Sequence, residues 1–416
     1  MEKTSFIKTI LICAFCGFML FGVYCSQNGG RDDTGITLHF WQFWTDPQAK
    51  AVISALVEEF ERENPGIKIE VNDLTWGEGH SKIVVAFASG NPPDILELGS
   101  DWIPEFSSRY VLRDIKGYIA EVKNERIMWE PAEFEHGCYA FPWFLDTRVI
   151  FYNKKLLNQA GFNDPPTDWD NFLKACQKIN NIEGVSGFGA NSFEKHRLYK
   201  KFMPFVWSNG GEIINKVAMP VFNSSKVLTS LDHYLKLVES GVIDNQRNLD
   251  TKFIDGKLGF NFSGGWLMKN INANNPALEY GVMPVPSPSG EMGISFAGGE
   301  YLSISSACKH PDEAFKFIEY LVDKDNTIKL CKTTGFGFPS SVELSDDPFY
   351  NENPHRMLFH KQLINSRMPP AIPQWVYIEE IIEKTIEQGM YKKGNIEHLL
   401  EKANDDIKRI LDGERN

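Results

Sequence analysis

Aromatic, acidic and amide side chains follow the segments of this chain whose alternating apolar residues predict β-strands. They are Trp41, Gln42 and Trp44 after the first segment, Trp76 and Glu78 after the second, Asp101 after the third, Trp143 and Asp146 at the passage to a second region, and Trp266 after a later segment. Gly299 and Glu300 directly precede the further predicted strand Tyr301 to Ile304. The carboxyl ends of parallel strands are where ligands gather. A neutral sugar needs aromatic rings against its C–H patches and planar carboxylates or amides for its hydroxyl pairs. The pattern therefore favours a carbohydrate site.

A packing role is the alternative for some of these side chains. Three indoles are predicted to pack in a core: Trp102, Trp129 and Trp169. Trp266 follows two glycines, which allow a ligand to approach the backbone closely, so a ligand contact is favoured there. Asp146 and Glu300 could instead cap helices or pair with arginines, and both interpretations stay open.

Motifs of reaction chemistry are missing from the sequence. It contains no HExxH, no GxSxG elbow, no GxxxxGK[ST] phosphate loop and no GxGxxG after a strand. His355 and His360 share a segment but have no companion carboxylate at metal-ligand spacing. Two acidic residues beside aromatic rings could still act as a glycosidase pair, which depends on their separation in space. We therefore predict a binding protein without a catalytic residue, metal or cofactor.

The charge balance argues against nucleic acid as a partner. The 416 residues include 43 Lys and Arg against 55 Asp and Glu, a net charge of −12. Phosphate-rich partners need clustered positive charge. Hydrophobic residues make up 42% and charged residues 24%, which is typical of a folded globular protein. This length predicts two or three lobes.

The amino terminus has the pattern of an export signal, predicted over residues 1–24. Lys3 and Lys8 precede an apolar run from Ile10 to Tyr24 that is too short to span a membrane. Cys25 follows and resembles the acylated cysteine of bacterial lipoproteins, with residues 25–35 as a polar tether. Gly22 and Tyr24 differ from the residues usual there, and a plain secretory signal is the alternative. We expect a periplasmic or cell-surface protein, attached to the membrane by a lipid only.

Four cysteines lie in the body of the chain, at Cys138, Cys176, Cys308 and Cys331. Their wide spacing does not match a zinc site or a disulfide-dense scaffold. An exported protein could form a bridge between Cys308 and Cys331, but four buried thiols is the favoured interpretation.

The elements predicted from residue 36 onward alternate between strand and helix. Ile36 to Phe40, Ile67 to Val71 and Asp94 to Leu98 are predicted strands, and Asp46 with Pro47 predicts the start of a helix. Strands interleaved with helices predict a mainly parallel sheet covered on both faces, in an α/β fold.

A second region of the same style begins near Val149. Thr167 is the predicted cap of one helix. Further helices are predicted at 226–240, at 312–322 and in an amphipathic segment from Ile396 to Leu411. The Pro- and Ser-rich stretch 284–290 is typical of a connection between lobes.

Five segments together resemble bacterial extracellular solute-binding proteins of the family-1 type, the sugar-binding subunits of ABC importers related to maltose-binding protein. They are Phe60 to Ile69 with Ala88 to Ile95; Phe141-Pro142 with Ile150 to Leu157, Ala160 to Phe162 and Pro165 to Trp169; Ser263-Gly264-Gly265-Trp266; Gly298-Gly299 with His310 to Phe317; and Gly335 to Ser341. The resemblance runs from about Ile36 to Leu411.

The resemblance implies the two-lobed periplasmic-binding-protein fold of type II, with three hinge crossings. Mapped on this chain, the crossings fall near 143–148, 282–286 and 337–341. Lobe I is then 36–143 with 287–338, and lobe II is 144–286 with 339–416.

The family's sugar contacts carry over to Trp41, Gln42, Trp44, Asp101, Trp143, Asp146, Trp266, Gly299, Glu300 and Trp375, whereas the loop of Trp76 and Glu78 varies in length across the family. The implied activity is capture of a di- or oligosaccharide by lobe closure and delivery to an ABC permease, by a monomer. The alternatives are a binding protein for a signalling partner and a carbohydrate-processing enzyme.

Overall fold

The computed structural model describes residues 35–341 and 347–413. The predicted signal segment and Cys25 lie outside these described residues. Within the two described ranges, no helix has the length and apolar character needed to cross a membrane.

Strands and helices alternate along most of the described chain. The strands are β1 (Ile36–Gln42), β2 (Ile67–Asp73), β3 (Ile95–Gly99), β4 (Glu133–Phe134), β5 (Gly137–Cys138), β6 (Phe141–Thr147), β7 (Val149–Asn153), β8 (Ser186–Asn191), β9 (Gly241–Asp244), β10 (Leu258–Ser263), β11 (Tyr280–Met283), β12 (Ser295–Ile304), β13 (Phe338–Pro339) and β14 (Ser366–Arg367). The α-helices are α1 (Pro47–Glu63), α2 (Gly79–Ala88), α3 (Ile103–Ser108), α4 (Lys154–Gln159), α5 (Trp169–Asn180), α6 (Tyr199–Ser208), α7 (Ser225–Glu239), α8 (Gln246–Ile254), α9 (Trp266–Asn274), α10 (Pro311–Val322), α11 (Lys324–Thr334), α12 (Pro348–Asn351), α13 (Pro354–Ile364), α14 (Trp375–Met390) and α15 (Ile396–Leu411).

Two large sheets organise most of these elements, and β4 pairs with β5 in a third, two-stranded sheet. The first has the strand order β13-β6-β12-β3-β1-β2, with β14 paired to β12, and the second has the order β11-β7-β10-β8-β9. Parallel pairs join β1 with β2 and β3, and join β8 with β9 and β10. The strands next to the passages between sheets pair antiparallel, as β12 does with β3 and β6 and as β7 does with β10 and β11. The predicted α/β fold is confirmed.

The chain passes between the sheets within a few residues. β6 ends at Thr147 in the first sheet and β7 begins at Val149 in the second, so Arg148 alone connects them. The stretch from Met283 to Ser295 leads back to the first sheet. We call the body built on the first sheet the first lobe and the body built on the second sheet the second lobe.

Two hydrophobic cores fill the interior, and the first of them also takes in Phe151 and Leu258 from the second sheet. Leu38, Phe40 and Phe317 belong to the core of the first lobe, and Phe172 and Phe260 belong to that of the second. The segment after β13 contributes to both cores. Tyr350, Phe359 and Leu363 pack in the first core, where the Phe359 ring lies 6.0 Å from that of Phe151 on β7. Trp375, Ile378 and Ile382 pack in the second.

Two helix starts illustrate how local sequence sets the elements. Asp46 caps α1, because its Oδ1 accepts hydrogen bonds from the amides of Gln48 and Ala49. For α5 the predicted cap, Thr167, is wrong by one residue. Asp168 has the extended backbone of a cap and its Oδ1 accepts from the Asn171 amide at 2.9 Å.

The indoles predicted to pack are all buried. Trp169 donates through Nε1 to the Pro286 carbonyl and stacks on His233, with ring centroids 4.3 Å apart. Trp129 donates to the Lys123 carbonyl. The four body cysteines are buried free thiols in the described chain, so Cys308 and Cys331 form no bridge.

Candidate functional site

A contact between the lobes centres on Asp101, which follows β3 in the first lobe. The Tyr199 hydroxyl donates to Asp101 Oδ2 at 2.6 Å, and Lys200 Nζ lies 3.1 Å from the same oxygen. Tyr199 and Lys200 open α6 in the second lobe. Burial disfavours the charged form of Asp101, but Lys200 and the Tyr199 hydrogen bond outweigh it and lower the pKa of this carboxyl. A ligand hydroxyl at Asp101 would therefore meet a carboxylate.

Trp266 lies on the second-lobe side and is held by a buried acid. β10 ends at Ser263, and two glycines lead to Trp266 at the start of α9. Its Nε1 donates to Asp250 Oδ2 at 3.0 Å, and Asp250 Oδ1 accepts from the Gln246 and Asn261 amides at 2.7 and 2.8 Å. The half-buried indole is thus fixed in orientation, which suits stacking on a flat ligand face.

Arg148, the single residue between β6 and β7, links the lobes electrostatically. Its guanidinium lies 4.6 Å from the centre of the Trp266 ring and its Nη1 pairs with Asp146 Oδ2. Asp146 therefore pairs with an arginine, one of the two open interpretations for this residue. A planar cation between a carboxylate and an indole can donate hydrogen bonds to sugar hydroxyls.

Glu300 lies beside this group on β12. Its Oε2 is buried and has no hydrogen-bond partner in the described ranges. Burial raises the pKa of the Glu300 carboxyl well above its ordinary value, and the nearby acidic groups of Asp146 and Glu97 raise it further. A neutral carboxylic acid here can both donate and accept, as a hydroxyl-bearing ligand requires.

An aromatic group forms the other end of the first-lobe surface. Trp76 is half-buried and stacks on Phe43, with ring centroids 4.2 Å apart, and it lies 5.3 Å from Trp102. Trp102 in turn lies 6.0 Å from the ring of His196, which belongs to the second lobe. Trp76 thus lies next to the Asp101 loop, since Trp102 directly follows Asp101.

Three predicted contacts from the first sheet are used by the fold. Gln42 is fully buried, and its amide donates to Asp73 Oδ1 at 2.6 Å and accepts from the Trp44 amide. Trp143 donates to the Leu321 carbonyl at 3.1 Å from a buried position. Trp41 is half-buried against the first core. Gln42 and Trp143 thus make hydrogen bonds within the first lobe.

The remaining predicted residues are spread more widely. Trp44 is buried, and its ring packs edge-on against Phe144. Trp375 is buried in the second core and packs on Tyr199, 5.7 Å away between ring centres. Glu78 is exposed and pairs with Lys82 at 3.0 Å on the first turns of α2. Gly299 belongs to β12, and a Cβ there would lie 2.5 Å from the Phe144 carbonyl oxygen.

Sequence analysis missed several groups in this region. They are Arg148, Tyr199, Lys200, Lys201 and Asp250. Lys201 is buried beside Gln246, and burial lowers the pKa of its ammonium group to about 7. Ligand contacts gather beyond the carboxyl ends of parallel strands, and this rule could have pointed to some of these groups. Helix α6 begins eight residues after β8 ends, and α8 begins two residues after β9 ends.

Comparisons with known proteins agree on one family. Residues 44–328 match the model of the bacterial extracellular solute-binding proteins. The diacetylchitobiose-binding protein of Streptomyces coelicolor is 26% identical over 342 residues, 78% of this chain and 77% of that protein. An uncharacterized lipoprotein of Streptomyces antibioticus is 24% identical over 395 residues, 89% of this chain and 84% of its own.

Solved structures show the same fold. The GacH receptor of Streptomyces glaucescens, studied unliganded and with acarbose, has a TM-score of 0.82 at 21% identity. The match covers 92% of this chain and 100% of that receptor. Because the family model spans more than half of the sequence, the prediction made from its five segments is confirmed, and the chain belongs to the bacterial extracellular solute-binding protein family.

Proposed function

We propose that this protein is an extracytoplasmic receptor that captures a di- or oligosaccharide between its lobes and delivers it to an ABC importer. One observation carries the proposal. Carboxylates and indoles from both lobes converge on the Asp101 contact and on Arg148, which lies between Asp146 and Trp266. The carbohydrate ligands named for the related receptors support the same ligand class.

The proposed contacts are those that lie together around this region. They are Trp76, Asp101, Asp146, Arg148, Lys200, Trp266 and Glu300. Trp76 and Trp266 would cover sugar faces, and the charged groups would bind hydroxyls at ~1.5–3 kcal/mol each. Trp41, Gln42, Trp44, Trp143, Gly299 and Trp375 would support the loops. Glu78, which pairs with Lys82 in solvent, is left out of this set.

Lobe closure would follow from contacts on both sides of the ligand. Asp101 belongs to the first lobe and Trp266 to the second, so only the closed arrangement offers both at once. A sugar that binds this arrangement more tightly than the open one shifts the equilibrium towards it. The importer's permease would then recognise the closed form.

Binding without catalysis is part of the proposal. Arg148 holds the Asp146 carboxylate in an ion pair, so in this proposal that carboxylate is not free to act as a nucleophile or a base. We further propose that the mature chain is a monomer attached to the membrane through an acylated Cys25. Each buried methylene of such an anchor contributes ~0.8 kcal/mol. Mass spectrometry of the exported protein would detect the acyl chains.

A thermal-shift panel of di- and oligosaccharides, followed by calorimetry, tests the function. Trp266→Ala is expected to weaken binding by roughly tenfold or more, because it removes a stacking face. The unfolding midpoint of the ligand-free protein should fall modestly, because Asp250 Oδ2 loses the hydrogen bond from the indole while Oδ1 keeps its partners. Val217→Ser, at a side chain that is 76% exposed, is the control and should bind normally. Unaltered affinity in Trp266→Ala would remove the indole from the site, and release of shorter sugars over time would indicate an enzyme.

A further inference from the structure

Lys201, on the first turn of α6, is a lysine buried inside the second lobe. Its side chain is only 4% exposed, and its Nζ donates to Gln246 Oε1. A buried ammonium group is costly because it gives up its hydration, and lysine is rarely buried without a partner. A methionine of similar length could fill the same space without that cost. The burial of Lys201 therefore calls for an explanation beyond packing.

A chain of hydrogen bonds leads from Lys201 to the Trp266 indole. Gln246 accepts from Lys201 through Oε1 and donates through Nε2 to Asp250 Oδ1 at 2.7 Å. The other oxygen of this carboxyl group, Oδ2, accepts from Trp266 Nε1 at 3.0 Å. Gln246 and Asp250 are both buried, so the chain runs through the interior of the second lobe. Because an ammonium group can only donate, it holds the amide oxygen of Gln246 towards itself and leaves the amide nitrogen to Asp250.

Asp250 is the link in this chain that touches the indole. Its Oδ1 also accepts from Asn261 Nδ2 at 2.8 Å and from the Ser263 hydroxyl at 3.1 Å. Asn261 and Ser263 belong to β10, whereas Lys201 reaches the chain from α6. Groups from α6, α8 and β10 thus fix the acid whose other oxygen orients Trp266.

The groups that surround Lys201 bring its titration close to neutral pH. Burial is the main reason that the pKa of its ammonium group falls to about 7. Arg197 and Arg148 add to the fall, whereas Asp250 and Glu194 oppose it. Arg197 precedes α6, Arg148 joins the two large sheets, Asp250 lies on α8 and Glu194 follows β8. The charge at the start of the hydrogen-bond chain therefore changes within the pH range in which the protein can be studied.

We propose that Lys201 is a positioning residue for the sugar site and holds the Trp266 indole in its stacking orientation. It acts through Gln246 and Asp250 and does not itself touch the ligand. The sugar contact rests on the proposed function, whereas the hydrogen-bond chain does not. The preceding residue, Lys200, belongs to the contact between the lobes. The same turn of α6 therefore serves both the contact with the first lobe and the orientation of the second-lobe indole.

The first test follows the Trp266 indole N–H by NMR and needs no sugar. In the ¹⁵N-labelled protein this resonance is assigned by its loss in Trp266→Phe. Between pH 6 and pH 9 it should shift with a midpoint at about 7, because loss of the Lys201 charge changes the hydrogen bonding along the chain. Lys201→Met should abolish this titration. Lys155→Met, at an exposed lysine of α4, is the matched control and should retain it.

The second test is a double-mutant cycle on sugar affinity. Maltotriose and diacetylchitobiose are the probes, in calorimetry at pH 6, where Lys201 is charged. Lys201→Met should weaken binding by roughly fivefold in the wild-type background and cause no further loss in Trp266→Ala, because the indole that it positions is gone. Gln246→Met cuts the same chain and should give the same pattern, which keeps the cycle valid if the lysine variant is unstable.

The outcomes separate this inference from the proposed function. A Trp266 resonance that does not titrate, a titration that persists in Lys201→Met, or equal losses of affinity in the two backgrounds would each overturn the positioning role. The sugar-receptor function would then stand as long as the wild type binds a probe. Binding of neither sugar, together with the expected titration, would count against the receptor function and leave Lys201 as the residue that orients Trp266.

Discussion

Gly265 lies directly against Phe336, and the two residues belong to different lobes. A Cβ built on Gly265 would lie 2.4 Å from the Phe336 Cβ, closer than real Cβ atoms approach one another. Gly265 precedes α9 after the second sheet, whereas Phe336 precedes β13 in the first. The absence of a side chain at residue 265 therefore lets the lobes meet beside Trp266.

Gly265→Ala is expected to hinder lobe closure without disturbing either lobe. The Gly265 backbone, at φ −62° and ψ −21°, is one that alanine adopts readily, so the clash arises only where the lobes touch. Sugar affinity should fall by roughly tenfold, and small-angle scattering with ligand should show a more open shape. The thermal midpoint without ligand should change little.

Gly117→Ala is the matched control for this substitution. A Cβ at Gly117 would have no described atom within 4 Å. This variant should bind sugar normally. Normal binding and closure in Gly265→Ala would show that the lobes do not approach in this way when ligand is bound.

The buried Glu97 carboxyl is expected to make the protein less stable at alkaline pH. Burial raises the pKa of this carboxyl from 4.5 to about 8, despite the hydrogen bond that its Oε2 accepts from the Phe43 amide at 2.8 Å. Between about pH 4.5 and pH 8, the Glu97 carboxyl therefore keeps its proton in the folded state and has lost it in the unfolded state. The contribution of Glu97 to the free energy of unfolding is complete below about pH 4.5 and is lost as the pH rises to about 8.

Glu97→Gln removes this titration and preserves an acceptor for the Phe43 amide. Urea unfolding should show the variant more stable than the wild type at pH 8.5, by roughly 2–4 kcal/mol, and similar at pH 5. Glu291→Gln, at an exposed glutamate, should follow the wild type at both pH values. Equal stabilities of Glu97→Gln and wild type at pH 8.5 would contradict a buried neutral acid.

The buried His233 imidazole is expected to make the protein less stable at acid pH. Burial lowers the pKa of this imidazole from 6.5 to about 4, and Lys236 adds to the effect while Asp170 and Asp232 oppose it. The unfolded chain binds the proton first as the pH falls. Stability is therefore lost between about pH 6.5 and pH 4.

His233→Phe should flatten that loss, because phenylalanine retains the stacking on Trp169 and does not titrate. Between pH 7 and pH 4.5 the wild type should lose roughly 2–3 kcal/mol more than the variant. His398→Gln, at an exposed histidine on α15, should lose as much as the wild type. Parallel pH profiles for His233→Phe and wild type would mean that His233 is charged when folded.

The body cysteines are expected to resist thiol reagents until the protein unfolds. Burial raises the pKa of Cys138 and Cys308 to about 11 and that of Cys331 to about 12, so the reactive thiolate is scarce as well as covered. An Ellman assay should show slow reaction of all four in buffer and fast reaction in denaturant. Detection of a Cys308–Cys331 disulfide by mass spectrometry would contradict the free thiols.

Local sequence determined the elements and, through five short segments, the family. Asp46 with Pro47 specifies a helix start because the cap and the fixed proline backbone act within a few residues. The alternation in Ile36, Leu38 and Phe40 specifies a strand for the same reason. The two-lobed α/β fold followed from the order of such elements together with the resemblance.

Tertiary structure alone decided which side chains meet. Tyr199 and Asp101 are 98 positions apart, and neither residue type distinguishes a contact between lobes from an ordinary core or surface role. Trp143 and Trp266 look alike in sequence, yet the first donates to the Leu321 carbonyl within a core and the second lies against Arg148 between the lobes. The tendency of a segment to form a helix or a strand depends on its neighbours along the chain. The burial of a side chain and its hydrogen-bond partners depend instead on how the chain passes between its two large sheets.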